Sequence, residues 1–198
     1  MFVLTLFFYC CRKYGLTTGQ LLHSPLGANF YGFLRSETGF RLPENSEKDV
    51  IMIAAGSGIA PFRGFWMKRA ELFQQGNKVG NTILYFGCRN EKMNLLKNET
   101  DRLALSGMKM ARKVAFSREV DREKQYVQDI LEDDSSEIIR YIRSGASIYV
   151  CGKVSMAQAV QMVLKKILMR YQGCNEEDAQ KIILKMKKEK LYCEDIFG

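Results

Sequence analysis

The residues best suited to chemistry fall in short clusters. Gly56-Ser57-Gly58 follows an apolar run, Val50–Ile53, continued by Ala54 and Ala55, and precedes a stretch opened by Pro61. A run of that length predicts a buried parallel strand, and the glycines let the backbone turn. Pro61 suits the first turn of a helix, where its missing N–H would be unpaired anyway. Strand, glycine turn and helix together aim backbone N–H groups at a phosphate. The third glycine of the dinucleotide fingerprint is absent, because Pro61 stands where it would fall. The pair of glycines alone is equally compatible with an ordinary tight turn.

A second cluster comprises Gly87-Cys88-Arg89, Ser117-Arg118, Lys124 and Tyr126. A site for NAD would place an acidic residue after the second strand to hold the ribose 2′-hydroxyl; Arg89 stands there instead. The cations Arg118 and Lys124 and the hydroxyls of Ser117 and Tyr126, all within ten residues, would make a nest for a dianionic 2′-phosphate. Charge-assisted hydrogen bonds contribute roughly 1.5–3 kcal/mol each. Two of them would favour the 2′-phosphorylated dinucleotide by roughly 10²–10⁴-fold. The alternative is a solvated loop with incidental charges. Cys151 beside Gly152 is either a buried structural thiol or a close approach to a planar ligand. On spacing alone Phe197 is a core aromatic and Asp195 a solvated terminal charge.

The elements that must position these residues change in kind along the chain. MFVLTLFFYCC is about half the length of a membrane span and lacks the basic start and cleavage site of a signal peptide, so a buried strand is expected there. Gly15–Leu21 is a Gly/Thr turn that could start a short helix, either a surface turn or a second phosphate cradle. Phe30–Leu34 and the short Phe40–Pro43 complete an all-β expectation for residues 1–46. Three strands cannot close a barrel.

From Glu47 strands alternate with helices. Strand Val50–Ala55 leads to helix Pro61–Gln75, with Gly76 as its stop, and then to strand Thr82–Phe86. A helical stretch around Asn98–Ser106 and strand Lys113–Phe116 follow. Asp134 and Glu137 suggest a capping box for a helix to Arg143, ended by Gly145. Strand Ser147–Cys151, a helix capped by Ser155 to Tyr171, a helix capped by Asn175 to Lys190, and strand-like Leu191–Phe197 complete the pattern. That alternation predicts an α/β, doubly wound parallel sheet, with ligands beyond the carboxyl ends of its strands.

Composition narrows the function classes. The 198 residues could bury about 70% of their unfolded surface, enough for one full domain and an extra piece. The formal charge of +8, from 30 basic and 22 acidic side chains, suits a phosphate-bearing partner, but no basic tract argues for nucleic acid. Lys181, Lys185, Lys187, Lys188 and Lys190 are expected on a solvated helix face. Six cysteines show neither metal spacing nor a secreted-type framework, which points to a reduced, cytoplasmic setting. His23 is the sole histidine, so no metal site and no histidine triad is expected.

Five ordered motifs carry a resemblance: Gly56–Arg63, Phe86–Arg89, Ser117–Glu119, Lys124–Asp129 and Tyr149–Gly152. In that order they resemble the NADPH-binding module of diflavin reductases, in the ferredoxin–NADP reductase class. Ser117–Arg122, Glu176–Ala179 and the ending Tyr192–Gly198 look most like the nitric oxide synthase family. Phe33–Ser36 and Phe40–Pro43 resemble the last strand region of that class's flavin barrel. Gly15–Leu21 looks like the turn that meets the FAD pyrophosphate, with Thr17 and Gln20 departing from the commoner residues. Ser57 stands where threonine is usual, and Lys153 where an acidic residue is usual.

The resemblance implies two domains: 1–46, the C-terminal part of an FAD-binding β-barrel, and 47–198, an NADP-binding α/β domain. It implies that Gly56, Ser57, Gly58, Ile59, Ala60 and Pro61 hold the NADPH pyrophosphate, with Cys88 and Arg89 nearby. Ser117, Arg118, Lys124, Tyr126 and Gln128 would grip the 2′-phosphate side, and Gly15, Thr17 and Thr18 would meet FAD. Phe197 would gate the flavin, with Cys151 and Asp195 flanking hydride transfer. The chain is then expected to be the C-terminal piece of a longer enzyme. An FMN-binding module would accept its electrons, and haem and tetrahydrobiopterin would serve the oxidation of arginine to citrulline and nitric oxide. Calmodulin would bind through segments absent here. The rivals are a reductase of the same class serving a cytochrome or another acceptor, and an NADP-binding fragment without activity of its own. The terminal Phe197 argues against the first, whose members typically end in tryptophan.

Overall fold

The computed structural model describes residues 16–31 and 39–198. The chain divides into two compact units, Met1–Glu37 and Thr38–Gly198. The first contains helix α1 (Leu16–His23), closed by the Ser24 hydroxyl donating to the Gln20 carbonyl at 2.6 Å. A short helix does therefore follow the Gly/Thr turn. The expected strand at the N-terminus lies outside the described residues, as do residues 32–34 of the next; Phe30 and Tyr31 have no regular structure.

The second unit is a five-stranded, wholly parallel sheet in the order β3-β2-β1-β4-β5. Along the chain run β1 (Val50–Ala55), α2 (Ala60–Gln74), β2 (Thr82–Cys88), α3 (Lys97–Leu105), β3 (Met110–Phe116), α4 (Val127–Asp133) and α5 (Ser135–Arg143). They are followed by β4 (Ser147–Lys153), α6 (Val154–Gln172), α7 (Glu176–Lys188) and β5 (Tyr192–Phe197). This is the expected doubly wound sheet.

Side-chain alternation explains why the strands are almost continuously apolar. Val50, Met52 and Ala54 face one core with Leu84, Phe86, Tyr149 and Cys151; it is covered by Ile59, just before α2, and by Phe62 and Trp66 of α2. Ile51 and Ile53 face the opposite core with Ile83, Tyr85, Ile148 and Val150, under α4 to α7. A central strand buried on both faces has no polar side to show.

Five details depart from expectation. Phe40–Pro43 is not a strand. It is an irregular strap, with the Phe40 ring 5.4 Å from Tyr149, 5.5 Å from Phe65 and 5.8 Å from Phe62. The Tyr149 hydroxyl donates to the Arg41 carbonyl at 2.5 Å. Asp134 caps nothing with its side chain, because its carboxylate is engaged by the Tyr85 hydroxyl at 2.9 Å and by the Lys113 ammonium. Ser155 lies inside the first turn of α6 rather than at its cap, whereas Asn175 caps α7 as expected, its side chain accepting from Asp178 N–H at 2.9 Å. Helix α4 has no counterpart in the periodicity. Lys187 leaves the solvated lysine face, half-buried and paired with Glu194 at 2.7 Å, while Lys181, Lys185 and Lys188 stay exposed.

Candidate functional site at the carboxyl edge of the sheet

The strand register brings the expected residues into one row. Ala55 pairs with Gly87, Gly87 with Ala115, Ala54 with Cys151, and Cys151 with Asp195. The loops that leave these strand ends therefore emerge at the same edge. Between β1 and β4 the chain order reverses, which is where open α/β sheets form their crevice.

Gly56–Ile59 form a 3₁₀ turn leading directly into α2, with Pro61 in the first turn of that helix. Gly56 has φ +57, a left-handed conformation that favours glycine, and the space where a Cβ would stand is open. Gly58 is needed for a different reason. A Cβ there would lie 2.1 Å from the Cys151 carbonyl oxygen and 3.1 Å from the Gly152 Cα. The turn thus lies flat against the end of β4. Ser57 is half-buried, Ile59 is buried and Ala60 is exposed at the helix start. In α2 itself the Ala60 N–H donates to the Ser57 carbonyl and Pro61 has no N–H, but no side chain caps the 3₁₀ turn ahead of it, so the N–H groups at the start of that turn are the ones left for an outside acceptor.

The second cluster is assembled by backbone hydrogen bonds. Ser117 N–H donates to the Cys88 carbonyl at 3.0 Å, and Arg118 N–H to the Arg89 carbonyl at 2.7 Å. Gln125 N–H returns to the Phe116 carbonyl at 2.9 Å, closing the loop that follows β3. Within it the Lys124 ammonium sits 4.9 Å from the Tyr126 ring centroid. Tyr126 N–H donates to the Asp129 carboxylate at 2.7 Å and so opens α4, on which Gln128 is half-buried. Arg89, Arg118, Lys124 and Tyr126 are exposed. Residues 117–126 also carry Glu119, Asp121 and Glu123 against Arg118, Arg122 and Lys124. Any attraction for a phosphate must come from placement, not net charge.

Cys151, Asp195 and Phe197 share the α2 face of β4 and β5, since Cys151 pairs with Asp195 and Phe197 lies two residues further along. Cys151 is buried and Phe197 packs at the rim of that core. Burial, with Asp195 beside it, pushes the Cys151 thiol up to about 11; burial does the same to Cys88. Both thiols are therefore neutral at physiological pH. Gly15 lies outside the described residues; Thr17 and Thr18 fall within α1.

Several residues at this edge escaped the sequence reading. Glu99 on α3 accepts from Trp66 Nε1 at 2.7 Å and from Arg63 Nε at 3.0 Å, tying α3 to α2, the helix that follows the glycine turn. A groove of about 440 Å³ is formed by the connection after β2 and α3 and not by the turn, lined by Glu91, Asn94, Leu96, Lys97, Asn98, Glu99 and Arg102. Leu96 has φ +61, and nothing in its residue type signals that. Among the described residues no helix is long and apolar enough to cross a membrane.

Sheet order, switch point and glycine turn define a doubly wound, nucleotide-binding class of protein. Residues 52–162 match the family described as the oxidoreductase NAD-binding domain, and the chain belongs to that family. It is 37% identical over 188 residues to a nitric oxide synthase-like protein of Bombyx mori, spanning 93% of this chain and 17% of that protein. It is 39% identical over 170 residues to the inducible nitric oxide synthase of Gallus gallus, 84% of this chain and 15% of that protein. A bifunctional cytochrome P450/NADPH–P450 reductase of Bacillus subtilis is 33% identical over 186 residues, 93% of this chain and 17% of that protein. The chain thus spans about a sixth of the length of these relatives.

Proposed function

We propose that the carboxyl edge between β1 and β4 binds NADPH, and that the chain is the NADP-binding part of a nitric oxide synthase-like reductase that passes hydride to FAD. The observation that carries this reading is the glycine turn itself. Gly58 leaves no room for a side chain against Cys151, while the space beside Gly56 is open at the uncapped start of the 3₁₀ turn. A diphosphate needs that kind of surface: backbone donors with no side chain in front of them.

In this reading the turn Gly56–Pro61 receives the pyrophosphate, with Cys88 and Arg89 beside it. Ser117, Arg118, Lys124, Tyr126 and Gln128 surround the 2′-phosphate. When bound, NADPH supplies the hydride that a flavin accepts. Cys151 keeps its proton on Sγ and offers a small neutral contact, Asp195 supplies negative charge across the strand pair, and Phe197 presents an aromatic face. Residues 1–46 are the end of a flavin-binding barrel and 47–198 the NADP-binding domain. FAD would be met by Gly15, Thr17 and Thr18. In the longer parent, located in the cytoplasm, an FMN module would carry electrons to haem, with tetrahydrobiopterin and calmodulin serving segments outside this chain.

The similarity to the Bacillus subtilis P450 reductase favours one second reading, a reductase serving a cytochrome. Isothermal titration of the 198-residue chain with NADP⁺ and NAD⁺ tests what the two share. Arg118→Ala should weaken NADP⁺ roughly 10- to 100-fold and NAD⁺ little, the loss of one charge-assisted contact. Equal losses would overturn the 2′-phosphate assignment.

A further inference from the structure

Arg122 has no part in the proposed nucleotide contacts. It lies in the exposed loop after β3, and its guanidinium carbon is 5.6 Å from the centroid of the Phe116 ring. Phe116 is the last residue of β3 and packs at the rim of the α2-side core. Its carbonyl also accepts the Gln125 N–H at 2.9 Å, so the returning limb of the loop is anchored at the residue where the outgoing limb begins. The chain reverses at Asp121, with φ +63 in the left-handed region, and Arg122 comes next. The outgoing limb carries Arg118, fixed by its N–H to the Arg89 carbonyl; the returning limb carries Lys124. Of the side chains between them, Arg122 covers Phe116 and Glu119 accepts from Glu91 N–H at 2.6 Å. One ties the loop to its own strand, the other to the loop after β2.

We propose that Arg122 is a positioning residue for 2′-phosphate recognition: laid on Phe116, it holds the returning limb so that Lys124 faces the same anion as Arg118. It acts through the ring and does not itself touch the phosphate. The inference rests on the nucleotide reading of this loop. Because the loop carries as many acids as cations, its selectivity depends on which cations converge, and a loop free to open would lose it. A cation stacked on an aromatic ring at an exposed site is worth a factor of about 2–5.

The test is titration calorimetry of the 198-residue chain with NADP⁺ and NAD⁺, using Arg122→Ala, Arg122→Lys, Phe116→Leu, Phe116→Tyr and the Arg122→Ala/Phe116→Leu pair. Arg122→Ala and Phe116→Leu should each weaken NADP⁺ about 2- to 5-fold with NAD⁺ unchanged, and the double variant should lose no more than either single. Arg122→Lys and Phe116→Tyr, which keep a cation and a ring, should retain most of the affinity. A loss in Arg122→Ala that Phe116→Leu does not reproduce would make Arg122 a direct phosphate contact and overturn the proposal. So would unchanged affinity in both, or an equal loss for NAD⁺. Should Phe116→Leu unfold, Lys124→Ala decides: on that background the Arg122→Ala loss disappears if Arg122 acts through Lys124 and persists if it is a direct phosphate contact, which would overturn the proposal. Failure of the underlying nucleotide reading would be visible separately, as a wild-type chain with no preference for NADP⁺ over NAD⁺.

Discussion

At the scale of single residues, two glycines of the same helical region should behave oppositely. Gly58→Ala drives a methyl to 2.1 Å from the Cys151 carbonyl, and backbone on both sides has to shift. A loss of about 1–3 kcal/mol is expected from urea unfolding, together with weakened NADP⁺ binding. Gly64 is exposed within α2 with nothing within 4 Å of a Cβ, so Gly64→Ala should stabilise by about 0.5–1 kcal/mol. The buried thiols give a pH signature. Cys88 and Cys151 have an ordinary pKa near 9 when unfolded and are pushed up to about 11 by burial. Below pH 9 both states hold the proton and stability is unaffected. Between pH 9 and 11 the unfolded chain releases protons that the folded one keeps, so stability falls, by at most about 1.4 kcal/mol per pH unit for each thiol. The urea midpoint should decline across that window, and less steeply in Cys88→Ala/Cys151→Ala; an unchanged slope would contradict the burial argument.

At the scale of elements, the amino edge of the sheet shows what the sequence could not. Arg69 on α2 is almost fully buried, donating from Nε to the Thr82 hydroxyl at 2.7 Å and from one terminal nitrogen to the Gly80 carbonyl at 2.7 Å and the Lys48 carbonyl at 3.1 Å. It staples the starts of β1 and β2, and burial lowers its pKa to about 10, still charged at neutral pH. The signal was present in the spacing: Arg69 follows Phe62 by seven residues and Trp66 by three, the buried stripe of a helix. Its charge hid it. Arg69→Met should leave a hydroxyl and two carbonyls without partners and cost on the order of 3 kcal/mol, read from chemical unfolding. Helix ends show the same limit. Asn175 was legible as a cap because nothing competes for its side chain, while Asp134 was not, because Tyr85 and Lys113 claim its carboxylate from distant strands. Two glycine stops were legible, Gly76 and Gly145, with φ +84 and +76 after their helices, whereas Gly173, which ends α6 at φ +66, was not read from the sequence.

At the scale of the whole molecule, the order of strands and helices was readable, α4 apart, because each central strand is apolar on both faces and the longer helices show their own period. The row of candidate residues at the carboxyl edge followed from that order alone. What periodicity could not supply were contacts between segments far apart in sequence, such as Glu99 with Trp66, or Arg41 with Tyr149. The strap Phe40–Pro43 is the clearest case, since its residue types suit a strand but its partners are the rings of α2 and β4 rather than another strand edge. The compact sheet unit accordingly begins at Thr38, ahead of the change in period at Glu47. That sets a boundary for dissection. A chain of residues 38–198 keeps both cores, all five strands and the strap, and should unfold in one cooperative transition with NADP⁺ affinity equal to that of the full 198 residues. Starting instead at Glu44 removes the Phe40 ring from its three aromatic neighbours and leaves the buried Tyr149 hydroxyl without the Arg41 carbonyl. That shorter chain should lose about 2–4 kcal/mol, the burial of one aromatic plus a stranded polar group. Equal urea midpoints for the two chains would show that the strap contributes nothing and that the sheet unit starts at its first strand.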